Sequence, residues 1–155
     1  MKSPLERALE LLAMRSRTEL ELDRALERAK VSAADRKAVL ARLRKLGYMD
    51  DREVARGRAR TLIERGDAPR LAARRLVAQG IAPQDAQAAV AEASGEADDE
   101  ELARKALQRR LRGREPEGER EKRRLLRALI AKGHKPGAAA RALGIEWEGD
   151  DEIDD

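Results

Sequence analysis

The chain has 155 residues, with 29 Ala and 20 Leu set against 5 Val, 5 Ile, one Trp, one Tyr and no Phe. A packed sheet needs β-branched and aromatic residues on its faces, so this composition excludes one and favours an all-α chain whose thin, Ala-rich core is spread over small units. The formal charge is +4, but residues 146–155 hold seven acids and no base, leaving 34 bases against 23 acids, or +11, over residues 1–145.

Chain order gives helices almost throughout. Ser3 and Pro4 open the first, with Leu5, Ala8, Leu9 and Leu12 on one face, and it is expected to end near Ser16. Thr18 and Glu21 fit a capping box ahead of Leu22, Ala25 and Leu26. Ser32 and Asp35 suggest a second box, followed by Val39, Leu40, Leu43 and Leu46 and by a stop at Gly47. Asp50 or Asp51 can cap the next helix, which carries Val54, Ala55, Ala59, Leu62 and Ile63 and ends at Gly66. Helices starting at Pro69 and Pro83 follow, separated by Gly80.

The run 94–101 is acidic and contains Gly95, so it reads as a hinge and the negative first turn of a helix that carries Leu102, Ala106, Leu107 and Leu111. Residues 113–119 are the loosest loop. Two closing helices hold Leu125, Leu126, Leu129 and Ile130, then Ala139, Ala142 and Leu143, and beyond Ile145 an acidic, disordered tail is expected.

A shift of 50 residues places Leu26, Val31 and Leu40 on Leu76, Ile81 and Val90, and a further 53 places those on Leu129, His134 and Leu143. The expected organisation is therefore three helical repeats over 1–47, 48–95 and 96–145, with the tail over 146–155. Cysteine is absent and His134 is the lone histidine, which removes disulfides, thiolate metal centres and cysteine nucleophiles. No phosphate-binding glycine loop or nucleophile elbow occurs, and no run approaches the roughly 18 apolar residues of a membrane span. No catalytic, cofactor-binding or metal-binding residue is expected, and the carboxylates all read as solvated.

The block Leu46-Gly-Tyr-Met-Asp-Asp-Arg-Glu-Val-Ala55, then Arg65-Gly-Asp-Ala-Pro-Arg70 and Leu76-Val-Ala-Gln-Gly-Ile81, resembles the signature of the RecX family, regulators of the RecA recombinase. The resemblance extends over the flanking units from Ala8 to Leu143, including Arg127-Ala-Leu-Ile-Ala-Lys-Gly133. Four positions depart from the family pattern: Val54 replaces Phe, Ala68 and Lys30 replace Gly, and His134 stands at an aromatic site. Looser packing in the second and third units is the expected consequence. Tyr48 reads as an amphipathic ring of the core.

The resemblance implies an elongated, curved protein of three tandem three-helix units. It implies binding in the groove of the RecA filament on single-stranded DNA, with suppression of ATP hydrolysis and strand exchange and faster filament disassembly. It places the chain in DNA repair, homologous recombination and the SOS response. A cytoplasmic monomer with weak direct contact to DNA and none to membranes is expected.

Candidate contacts come from the basic stretches. Arg52, Arg56 and Arg60 stand at i, i+4 and i+8, and Arg70, Arg74 and Arg75 follow on the next helix. Arg104, Arg109, Arg123 and Arg127 represent a third unit that also carries Lys105, Arg110, Arg112, Arg120, Lys122 and Arg124. Arginine suits acidic protein surfaces and phosphates alike, because its planar fork donates paired hydrogen bonds to either. A solvated helix face, or an Arg-rich genome, produces similar runs. Trp147 reads as either a tail anchor or a partner contact. The competing function is an independent helix-turn-helix DNA-binding regulator, against which stands the scarcity of base-reading Asn and Gln in the candidate recognition helices.

Overall fold

A computed structural model of the chain describes residues 1–149. It is all-helical, with α1 Pro4–Met14, α2 Glu19–Arg28, α3 Ala33–Lys45, α4 Asp51–Glu64, α5 Pro69–Ala78, α6 Pro83–Ser94, α7 Asp99–Leu111, α8 Gly118–Ala131 and α9 Pro136–Ala142. The described residues contain no strand. Of the expected disordered tail, residues 150–155 lie outside those described.

The helix starts follow from local chemistry. Ser3 and Thr18 each close a full capping box, with Glu6 and Glu21 reaching back to the cap amide. Ser32 caps α3 by accepting from the Asp35 amide at 3.2 Å, but the reciprocal half of the expected box is missing. The Asp35 side chain is one methylene shorter than the Glu of the other two boxes. Asp50 caps α4, accepting from the Arg52 and Glu53 amides, whereas Asp51 accepts from the Glu19 amide at 3.0 Å and so ties α4 to α2.

The helices pack in threes around three separate cores. The first joins Ala8, Leu22, Leu26, Val39, Leu40, Leu43 and Met49. The second is built on Ala55, Ala59, Ala72, Ala73, Leu76, Ile81, Ala86, Ala89 and Val90, and the third on Ala106, Leu107, Leu111, Leu125, Leu129, Ala139 and Leu143. Small side chains let α4 lie close against α6, and the same holds for α7 against α9. The accessible surface is 10339 Å². A single globule of this mass exposes about 7800 Å², so the chain is extended.

The turn between the second and third helix of each unit is the same object three times. The amides of Val31, Ile81 and His134 donate to the carbonyls of Leu26, Leu76 and Leu129, the last three all fully buried. The residue just before each donor has positive φ: Lys30 at 67°, Gly80 at 103° and Gly133 at 90°.

Two of these turns also join the units. Thr18 Oγ1 donates to the Gln79 carbonyl at 2.5 Å, and Gly80 lies against Leu20 so closely that a Cβ would sit 2.5 Å from the Leu20 Cβ. In the next joint the Ala68 amide donates to the Lys132 carbonyl at 2.8 Å, and a Cβ on Gly133 would sit 2.8 Å from the Leu71 Cβ. The second and third units thus each set a glycine turn against the start of the preceding unit's second helix.

Three expectations need correcting. The apolar stripe of α3 stops at Leu43, and Leu46, the C-cap residue, is 54% exposed. Tyr48 is 62% exposed, because the turn at Gly47 sends the next side chain outward and puts Met49 into the first core instead. The carboxylates are not uniformly solvated: Asp67 is only 3% exposed.

Candidate functional site

The predicted arginines fall into three groups with different surroundings. On α4, Arg52 Nε lies 3.2 Å from Asp85 and Arg56 Nε 3.3 Å from Glu92, both acids on α6. Arg56 also bonds Glu53 at 2.8 Å. This part of the ridge is engaged inside its own unit, in exposed pairs of the kind worth less than about 1 kcal/mol each. Arg60 is exposed and carries no such pair among the described residues.

On α5 the three predicted arginines separate. Arg70 and Arg74 line a groove of about 640 Å³ whose floor is Pro69, Ala73, Val77 and Pro83. Val77 remains 42% exposed there. Arg75 instead packs on Asp67, whose Oδ2 faces Arg75 Nε at 3.0 Å without hydrogen-bond alignment.

In the third unit Arg104 bonds Glu100 at 2.7 Å. Arg109, Arg123 and Arg127 are exposed and have no ion pair among the described residues. Arg127 lines a cleft of about 480 Å³ with Glu117, Arg120, Glu121 and Arg124. The structure therefore gathers Arg70 with Arg74, and Arg127 with Arg120 and Arg124.

The charged groups that sequence reading passed over hold the joints. Arg58 forks onto Glu21 at 2.7 and 3.0 Å, and also donates to the Gln79 side chain at 2.8 Å and to the Ser16 carbonyl at 3.1 Å. Burial of Glu21 disfavours its charge, yet the bonds from Arg58 and the Thr18 amide outweigh that and hold its carboxyl below the ordinary range. At the second joint Lys132 Nζ reaches Asp67 Oδ1 at 3.2 Å, and His134 Nε2 donates to the Gly66 carbonyl at 2.8 Å. A carbonyl only accepts, so Nε2 carries the proton. Burial lowers the His134 pKa, against the upward pull of the Gly66 carbonyl and of Asp67 and Asp99. Val54 lines a groove of about 330 Å³ beside Gly57 and Leu62 at the first joint.

No cluster of three or more potential ligands among the described residues is arranged to hold a metal ion. No described helix is long and apolar enough to cross a membrane.

The geometry defines an all-helical protein of three similar three-helix units, jointed through glycine turns and carrying arginine-lined surfaces. Two solved structures share that fold. RecX from Lactobacillus salivarius superposes with a TM-score of 0.71 at 18% identity, over 91% of this chain and 92% of that one. A structure described as regulatory protein RecX superposes with a TM-score of 0.71 at 22% identity, over 91% of this chain and 70% of that one. No protein-family model matches the chain, and no curated protein matches it. The chain has the RecX fold, as the motif block led one to expect.

Proposed function

We propose that this protein is a RecX-type regulator of the RecA recombinase, acting by binding and without catalysis. It occupies the groove of the RecA filament on single-stranded DNA, lowers ATP hydrolysis and strand exchange, and favours filament disassembly. The observation that carries this reading is the extent of the shared fold, which spans 91% of the chain and so takes in all three units. The sequence block around Leu46 to Ile81 supports it independently.

The physical form suits such a target. A chain whose units share no common core presents a long surface, and a helical filament offers a long groove. We assign 1–47, 48–95 and 96–145 as the three units and the cytoplasm as the working compartment, with the protein acting as a monomer. Arg70 and Arg74, beside the exposed Val77, supply a basic rim around an apolar floor, the chemistry of a protein contact. Arg52, Arg56, Arg60, Arg75, Arg104, Arg109, Arg123 and Arg127 complete the proposed contact set.

Co-sedimentation tests the reading. The protein should pellet with RecA filaments on single-stranded DNA and stay in the supernatant with RecA alone. Equal recovery with and without filaments contradicts it. Tight, sequence-selective binding to duplex DNA without RecA would instead favour the independent DNA-binding regulator.

A further inference from the structure

We infer that the outward ridge of α8 binds the phosphodiester backbone of a nucleic acid strand. This deepens the reading above by naming the face and the chemistry of one contact. It is tested without any recombinase, so its failure leaves that reading standing.

At 3.6 residues per turn, Arg120, Arg123, Arg124 and Arg127 fall within about 100° of arc. The buried Leu125 and Leu129 lie on the other side of the helix. All four arginines are exposed, and the side chains of Arg120, Arg123 and Arg127 have no hydrogen bond or ion pair among the described residues. On α4, by contrast, Arg52 and Arg56 already face Asp85 and Glu92 across the unit. A guanidinium with no partner gives up only water when a phosphate arrives, whereas a paired one must also abandon its carboxylate.

Two acids border the α8 cleft. Glu121 is occupied by Arg114 at 3.2 Å and Arg124 at 4.0 Å, so its charge is met before any ligand binds. Glu117 is exposed at the N-terminal edge, just before the helix begins. The ridge between them and Arg127 stays cationic.

The lining also separates nucleic acid from an acidic protein. Only Arg and Glu side chains line this cleft, and none of the exposed large apolar residues lies on α8. Protein contacts draw their energy from buried apolar or aromatic anchors, which this face lacks. Phosphate contacts need only charge and donor geometry, and the absence of aromatic residues here means that bases are not read by stacking.

The test titrates fluorescent thirty-residue oligo-thymidylate by anisotropy between 50 and 200 mM salt. The variant R120Q/R123Q/R127Q is compared with K2Q/R44Q/K135Q, which removes the same charge from exposed side chains that all sit in ion pairs. Three lost phosphate contacts flatten the slope of log affinity against log salt by about 2, so the fourfold salt rise costs the α8 variant on the order of 20-fold less affinity. The control variant keeps the parent slope. Circular dichroism verifies helix content, and if the triple variant fails to fold, R123Q and R127Q alone should each flatten the slope by about 0.7. An unchanged slope in the α8 variant, an equal change in both variants, or no binding by the parent at 50 mM salt overturns the inference.

Discussion

Lys30 occupies a backbone site that the other two units give to glycine. Its φ of 67° puts an L side chain in the left-handed region, where Gly80 and Gly133 sit without that cost. That Lys30 stands where the later repeats carry Gly80 and Gly133 was visible in the sequence, and the structure gives its physical meaning. Lys30→Gly should therefore stabilise the fold by about 0.5–1 kcal/mol, the left-handed strain relieved exceeding the glycine entropy. Urea denaturation measures it, and a loss of stability would contradict the assignment. His134 is the converse case: its position in the repeat was legible, but its burial and its bond to Gly66 depend on a neighbouring unit that no local pattern reports. Because burial lowers its folded pKa below the ordinary 6.5, the unfolded chain takes up the proton first. Its contribution to stability is present above about pH 6.5 and lost as pH falls through the folded value. His134→Phe should then show a smaller drop in Tm between pH 7.5 and 5 than the parent. Equal drops would mean that His134 titrates as it does in the unfolded chain.

At the scale of elements, the helices were readable because their signals are local. Caps at Ser3, Thr18 and Asp50, prolines at 4, 69 and 83, and apolar spacing of 3 and 4 act within a turn or two. The joints were unreadable for the opposite reason. Arg58 meets Glu21 across 37 positions and Lys132 meets Asp67 across 65. In a sequence this rich in arginine, nothing distinguishes Arg58 from its neighbours Arg56 and Arg60. The Arg58 side chain is 22% exposed and that of Glu21 24%, so their fork is partly shielded from water. Arg58→Ala should cost about 2–3 kcal/mol by leaving Glu21 without its charged partner. Arg58→Lys should recover only part of this, since an ammonium lacks the planar fork. A change below about 0.5 kcal/mol in urea unfolding would show that the joint is held by the Thr18 and glycine contacts alone.

For the whole molecule, the repeat period of 50 and then 53 residues foretold a structure in three similar units, and three separate cores are what the chain forms. The choice of contact residues was less legible, because sequence shows where arginines are but not which acids already hold them. Arg52 and Arg56 read as one helix ridge and are paired with α6, while Arg120 and Arg124 stand with Arg127 around a cleft. Whether this fold regulates a recombinase filament is tested most directly by the DNA-dependent ATPase of the cognate RecA. Saturating protein should lower steady-state ATP hydrolysis on single-stranded DNA well below the rate of RecA alone, with the effect growing as filaments shorten. An ATPase rate unchanged at saturation would contradict the account.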